Sequence, residues 1–445
     1  MASHPGARLT VRPGRPLAGS FRPPGDKSIT HRAYLMGLVA TGETVVVDPN
    51  PGADCEATLA CAGILGATVS RRDQTVTIAG TSGTLREPDR VLDCGNSGTT
   101  LRLLAGVLAS QPFFSVLAGD ESLHRRPVAR IVEPLRTMGA QLWARDGDRL
   151  PPLAIRGGAL AAIEYRVPVA SAQVASCILL AALAAPGRTV VTMPGAARDH
   201  TQRMLGAFGV KVEVALDGRS IALNGPASLL GTQVRIPGDV SAAAFFLAAA
   251  ATIPGASVTA RDVSVNPTRA GLLAVMERMG ARVERARPRE EGGDPIADVT
   301  VTGPARLEAI DIQPDEVPSL IDEVPAWAVL ATAARGTSRI AGAAELRVKE
   351  SDRLAALARN LGRLGITVEE TRDGLAVTGG EPRGGTVDAE EDHRIAMAFA
   401  ILGARAAGPV TITGAGGIPT SYPDFLTTFA ALGGEVEGAH AVVGR

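Results

Sequence analysis

At 445 residues the chain exceeds what one ordinary hydrophobic core supports, so two domains are expected. A hydrophobic share of 45%, a charged share of 20% and a formal net charge of -1 describe a globular chain with no global bias toward nucleic acid or an anionic membrane. Aromatic residues at 3% argue equally against a base-stacking platform.

In chain order, Met1–Pro5 lack the basic-then-apolar pattern of a signal peptide, and the most apolar run, Ala242 to Ile253, is shorter than a membrane span. Cys55, Cys61, Cys94 and Cys177 show neither CxxC pairing nor zinc spacing and read as buried free thiols. A cytoplasmic, metal-free protein follows as the expectation. The first strand, Leu9 to Val11, is assigned to the C-terminal half. Pro-rich Arg22–Gly25 and Val234–Gly238 read as two crossings between domains. The expected domains are therefore residues 1–22 with 236–445, and residues 23–235.

Two phrases then recur six times at a spacing of about 70 residues, long for a solenoid. One is a helix end, a Gly, a small residue and a β-branched strand, as in Leu65–Val69, Met138–Leu142, Phe208–Val212, Met279–Val283, Leu364–Val368 and Leu432–Val436. The Gly suits a left-handed C-cap. The other is a polar cluster opening a helix that is apolar nearly all round, starting near Asp26, Asn96, Ser171, Asp239, Asp322 and Asp392. Such helices belong inside a core, and Asp, Asn and Ser cap their N-termini. The expected fold class is α/β: three repeats per domain, with buried helices inside sheets.

The reactive residues gather at these helix starts, where free N–H groups favour anions. Lys27, Ser28, Arg32, Arg125, Arg126, Ser171, Gln173, Lys349, Arg353 and Arg394 add cations and donors there, which fits ligands carrying phosphate and carboxylate groups. Asp322, Glu350 and Asp392 are acids within that set that either relay protons or cap helices. The run Leu346–Leu354 is expected at the mouth of a helix, with Lys349 and Arg353 on one helical face and Glu350 beside them, placed for moving a proton rather than for pairing. Gly25–Ser28 lacks the GxxxxGK[ST] phosphate loop, and Gly414–Gly417 runs into Pro419 rather than a helix. His200 and His393, each after an Asp, read as supporting groups rather than metal ligands.

Pro24-Gly25-Asp26-Lys27-Ser28-Ile29-Thr30-His31-Arg32, Gly95–Arg102, Arg347–Arg353 and Asp392–Met397 together resemble the 5-enolpyruvylshikimate-3-phosphate synthase family over nearly the whole chain. The resemblance implies a two-domain inside-out α/β barrel, each domain of three βαβαββ repeats, closing over a cleft. It implies transfer of the enolpyruvyl group of phosphoenolpyruvate to the 5-hydroxyl of shikimate 3-phosphate without a cofactor, by a monomer that binds neither nucleic acid nor membrane. Shikimate 3-phosphate would be held by Lys27, Ser28, Arg32, Ser171, Ala172, Gln173, Asp322 and Lys349. Phosphoenolpyruvate would lie against Lys27, Gly98, Arg126, Gln173, Arg353 and Arg394. Asp322, Glu350 and Lys27 would carry the catalysis.

The chain also departs from the common pattern: no Lys precedes Tyr422-Pro423-Asp424, and Glu345 stands where many members have Asn. These departures resemble a divergent, in part glyphosate-tolerant branch, in which Arg198 would also hold the substrate phosphate. Small Gly98, however, is the residue associated with inhibitor binding. The sister UDP-N-acetylglucosamine enolpyruvyl transferases carry a loop cysteine before an Arg-Pro pair, whereas here Asp120–Pro127 contains none.

Overall fold

The computed structural model describes residues 7–195, 197–304 and 306–438, so Met1–Pro5 lie outside the described residues. All six Gly-led phrases end helices as their composition requires. Gly139 is typical: at φ 113° it occupies a conformation that side chains resist, and its five counterparts are also at positive φ. Its N–H donates to Arg136 O, while the N–H of Ala140 reaches back to Leu135 O. That pair of bonds satisfies carbonyls otherwise orphaned at the helix end.

The six apolar helices are α1 (Lys27–Val39), α2 (Gly98–Leu108), α3 (Ala172–Ala182), α4 (Val240–Thr252), α5 (Val324–Ala333) and α6 (His393–Gly403). Every residue of α4 and α6 is buried. Five of the six starts are side-chain capped: Asp26, Ser97, Ser171, Asp239 and Asp392 each accept a backbone N–H of the first turn. Asp322 does not cap. It sits in a 3-10 turn, Ile321–Glu323, that leads into α5.

The sheets repeat one wiring. Leu92–Asp93 runs parallel to Phe114–Ala118, which is antiparallel to Leu150–Arg156, itself antiparallel to Gln141–Ala144. Taken with α2 and the Ala129–Met138 helix, this is a strand–helix–strand–helix–strand–strand unit. The described residues form six such four-stranded sheets. Three strands join sheets remote from their place in sequence: Ala18–Phe21 pairs with Ser257–Ser264, Gln233–Arg235 with Glu43–Val47, and Arg8–Arg12 with Val410–Thr413 and Glu435–Glu437.

By contacts the chain divides into two units. The first comprises residues up to Pro24, Pro237–Arg289 and residues from Pro295; the second comprises Gly25–Ile236 with Glu290–Asp294. Each has its own hydrophobic core built around three of the helices. In the second unit α2 and α3 meet at Gly106, where a Cβ would fall 2.2 Å from Cys177 O. In the first, Phe246 stacks on Phe425 with ring centroids 4.9 Å apart. The fold class is α/β, with helices buried beneath sheets in both units.

One local expectation is corrected. The Leu346–Leu354 run is not one helical face, because the helix spans Arg353–Arg363 and Ala344–Val348 is a separate 3-10 segment. Lys349 between them is extended, at φ -84° and ψ -151°. Asp352 decides the boundary by accepting the N–H of Ala355 at 3.1 Å, a bond that requires it to stand outside the helix.

Two glycines test the packing. Gly106→Ala is expected to lower stability by about 1–3 kcal/mol, because α2 must move off α3. Gly362→Ala, exposed in the Arg353–Arg363 helix with nothing near its Cβ position, should instead stabilise by roughly 0.5–1 kcal/mol. Urea unfolding of both variants checks the opposite signs.

Candidate active site

In the second unit the helix starts bring the sequence-predicted residues together. Lys27 opens α1, and its Nζ donates to Asp54 Oδ2 at 2.9 Å. Ser28 follows, and its carbonyl accepts from Arg32 Nη1 at 2.9 Å. Arg32, 4% exposed, is further held by two hydroxyls: Nε donates to Thr201 Oγ1 at 2.7 Å and Nη2 to Ser176 Oγ at 2.9 Å. Ser176 in turn donates to the carbonyl of Ala172, so Arg32 of α1 is braced against α3. Ser171 caps α3 through Val174 N. Gln173 spans to α2, accepting from Arg102 Nη1 and donating to Thr99 Oγ1, both at 2.9 Å.

Gly98 opens α2 beneath two guanidinium groups. A Cβ there would stand 2.6 Å from Arg102 Nη1 and 3.1 Å from Arg126 Cζ, so a larger residue would displace both. Arg126 is anchored to Asn96 O at 3.0 Å. Its neighbour Arg125 pairs with Glu121 at the surface. Arg198 lies in the loop ahead of the His200–Ala207 helix, whose Thr201 holds Arg32.

Below this surface runs a buried hydroxyl chain. His31 Nδ1 lies 2.7 Å from Thr58 Oγ1, which lies 2.6 Å from Thr100 Oγ1, which donates to Ser97 Oγ at 2.7 Å. The chain ties α1 to the cap of α2. Burial first, then the Lys27 and Arg32 charges, hold the His31 pKa well below its ordinary value. His31 is therefore neutral, and a proton on Nδ1 lets every hydroxyl in the chain donate onward toward Ser97.

The first unit holds the acids. Arg353, 1% exposed, donates through Nε to Asp392 Oδ2 at 2.8 Å and through Nη2 to Glu350 Oε2 at 2.6 Å. Asp322 Oδ1 lies 3.5 Å from Arg353 Nη1 and 3.7 Å from Lys349 Nζ. Burial works against the Arg353 charge, but Asp392, then Glu350 and Asp322, outweigh it and raise its pKa above the ordinary arginine value. Asp392 also accepts from Ser351 Oγ at 3.0 Å while capping α6. Arg394 Nη1 donates to Asp322 O at 2.9 Å. Glu350 is thus corrected: it is ion-paired with Arg353 rather than standing apart from it, because the loop before the helix folds it back within reach.

A metal is a poor fit to the one cluster with ligand-type atoms among the described residues. Asp199, His200 and Asp294 bring such atoms within 4.8 Å of one another. Arg203 Nε, however, donates to Asp199 Oδ2 at 2.6 Å, already supplying a cation there. His393 Nε2 lies 3.2 Å from Ser421 Oγ.

A family model described as EPSP synthase (3-phosphoshikimate 1-carboxyvinyltransferase) matches residues 11–429. The chain belongs to the EPSP synthase family. The 3-phosphoshikimate 1-carboxyvinyltransferase of Anaeromyxobacter sp. (strain K) is 50% identical over 436 residues, covering 97% of this chain and 98% of that protein. Its counterpart in Synechococcus sp. (strain JA-3-3Ab) is 49% identical over 429 residues, 95% of this chain and 96% of that one. The solved EPSP synthase of Acinetobacter baumannii superposes with a TM-score of 0.86 at 42% identity, over 97% of this chain and 99% of that one. Family membership accords with the repeated sheet wiring and buried helices.

Several residues in these networks escaped the sequence reading. Asp54, Ser176 and Thr201 grip Lys27 and Arg32 from 27, 144 and 169 positions away, and no spacing rule links them. Arg102 lay inside a quoted motif without a role. Its place one helical turn after Gly98 was the signal available.

The depressed His31 pKa has a definite sign. Above about pH 6.5, the unfolded value, neither state binds the proton and His31 costs nothing. As pH falls below it, only the unfolded chain binds, and stability drops by about 1.4 kcal/mol per pH unit until the folded pKa is reached. Replacing His31→Gln should remove that part of the slope, read by urea unfolding at pH 7.5, 6 and 5.

Proposed function

We propose that this chain is a 3-phosphoshikimate 1-carboxyvinyltransferase, moving the enolpyruvyl group of phosphoenolpyruvate to the 5-hydroxyl of shikimate 3-phosphate. The observation that carries the reading is Arg353, a buried guanidinium with Asp322 and Glu350 on different N–H groups and Lys349 beside Asp322. A buried cation flanked by two carboxylates and an ammonium can bind an anion and move protons at once.

Shikimate 3-phosphate is taken by Lys27, Ser28, Arg32, Ser171, Ala172, Gln173, Arg198, Asp322 and Lys349. Phosphoenolpyruvate is taken by Lys27, Gly98, Arg126, Gln173, Arg353 and Arg394, the arginines matching carboxylate and phosphate bidentately. Asp322 accepts the proton of the 5-hydroxyl as its oxygen bonds to C2 of phosphoenolpyruvate. Glu350, which takes up a proton once the anion has displaced it from Arg353, delivers that proton to the methylene carbon, giving a tetrahedral intermediate. Loss of a methyl proton to Glu350 and of phosphate from C2 restores the double bond, and the hydroxyl proton held by Asp322 leaves with the phosphate. Lys27 and the guanidinium groups neutralise charge that builds on the departing phosphate. No cofactor enters this scheme.

The Glu350–Arg353 bond sets an order of events. Asp392 and Glu350 share the Nη2 group of Arg353, so an incoming anion there competes with Glu350 for the same N–H groups. Exchange of partners binds the substrate and frees the Glu350 carboxylate to take up the proton it then delivers. The protein acts in the cytoplasm as a 45.7 kDa monomer without nucleic acid.

Phosphate release from phosphoenolpyruvate should depend on shikimate 3-phosphate. Activity with UDP-N-acetylglucosamine alone would instead identify the sister reaction, which the absence of a cysteine from Asp120–Pro127 disfavours. Glu350→Gln should lower kcat by about 100- to 10,000-fold. It should also lower KM for phosphoenolpyruvate, because a charge competing for Arg353 is gone. An unchanged kcat would reduce Glu350 to a structural charge.

A further inference from the structure

Behind Asp322 and Arg394 lies a second ionic network in which the proposed reaction gives no residue a part. Arg269, in the segment between the Ser257–Ser264 strand and the Gly271–Arg278 helix, is 1% exposed. Its Nη2 donates to Asp239 Oδ1 and its Nη1 to Glu323 Oε1, each at 3.2 Å. Asp239 also caps α4 through Ser241 N at 2.8 Å, and the Ser241 hydroxyl donates to Glu323 Oε1. Glu323 immediately follows Asp322 in the turn that opens α5. One guanidinium therefore joins the starts of two buried helices.

The Glu323 carboxylate faces a second cation. Arg394 Nη1 stands 4.0 Å from Glu323 Oε1, beyond a hydrogen bond, and donates instead to Asp322 O at 2.9 Å. Glu323 is 1% exposed, and its Oε2 has no hydrogen-bond partner among the described residues. A buried carboxylate so placed draws in whichever donor reaches it, since water cannot compensate it. Arg269 supplies the compensating charge at Oε1, the same oxygen that Arg394 faces from 4.0 Å.

We propose that Arg269 is a positioning residue: by satisfying Glu323 it prevents that carboxylate from capturing Arg394, and so keeps the Arg394 guanidinium on the Asp322 carbonyl and open to the phosphoenolpyruvate anion. The inference rests on the assignment of Arg394 to phosphoenolpyruvate under the function proposed above. Without Arg269, Arg394 is the cation left beside Glu323 among the described residues. A move of less than 1.5 Å, from 4.0 Å to hydrogen-bond distance, then closes the competing contact.

Steady-state kinetics of purified full-length variants tests this. Arg269→Met should raise KM for phosphoenolpyruvate about 10-fold while leaving KM for shikimate 3-phosphate within about 2-fold. Adding Glu323→Gln to it removes the competing charge and should return KM for phosphoenolpyruvate to within about 3-fold of the parent. A purely structural role would instead lower the active fraction, and hence kcat, with both KM values unchanged, and that result overturns the proposal. Arg394→Lys separates the two readings. If it raises KM for phosphoenolpyruvate and Arg269→Met does not, the positioning role fails alone. If Arg394→Lys leaves that KM unchanged, the assignment of Arg394 fails and takes the positioning role with it. Should Arg269→Met not fold, Arg269→Lys carries the same test, with an expected rise of about 3-fold because the charge stays and the fork geometry is lost.

Discussion

The buried pair between Arg353 and Asp392 is the interaction on which the acidic half of the site depends. Neither side chain has meaningful access to water, so each charge is tolerable only through the other. Removing one partner of such a pair typically costs about 3–5 kcal/mol, because the survivor is left uncompensated. Asp392 does more than neutralise. One carboxylate caps α6, accepts from Ser351 and orients the guanidinium that faces Asp322 and Glu350. Fold and chemistry therefore share the same atoms.

The two units handle their buried arginines differently. Arg353 is surrounded by three carboxylates at 2.6 to 3.5 Å. Arg32 is gripped by neutral oxygens: two hydroxyls and the Ser28 carbonyl. Hydroxyl partners fix direction without cancelling charge, which suits the phosphate-binding role proposed for Arg32. Carboxylate partners hold the cation firmly but must be displaced or deprotonate something to be useful. The hydroxyl arrangement suits the binding proposed for Arg32, and the carboxylate arrangement suits the proton movement coupled to binding proposed around Arg353.

Much of the architecture was legible because its causes are local. A helix that must turn into a strand within two residues needs a left-handed residue, and Gly at positions 66, 139, 209, 280, 365 and 433 meets that need each time. An apolar helix that starts inside a core needs a side chain to take its first N–H groups, and Asp26, Ser97, Asp239 and Asp392 are such residues. Asp322 looked like another member of that set. It is not one, because the turn Ile321–Glu323 and the proline at position 325 start α5 without a side-chain cap.

Pairing was legible only in part. Lys349, Glu350 and Arg353 are close in sequence, yet their relation was misread as one helical face because Asp352 caps a helix that starts only at Arg353. The side-chain partners of Arg32, Lys27 and Arg269 lie from 27 to 169 positions away, where periodicity carries no information. By itself the sequence determined the repeat, the helix ends and the buried helices, since backbone hydrogen bonding and apolar burial act over a few residues. Only the tertiary structure decided which charge meets which, because an ion pair is chosen by distance in space and by exclusion of water.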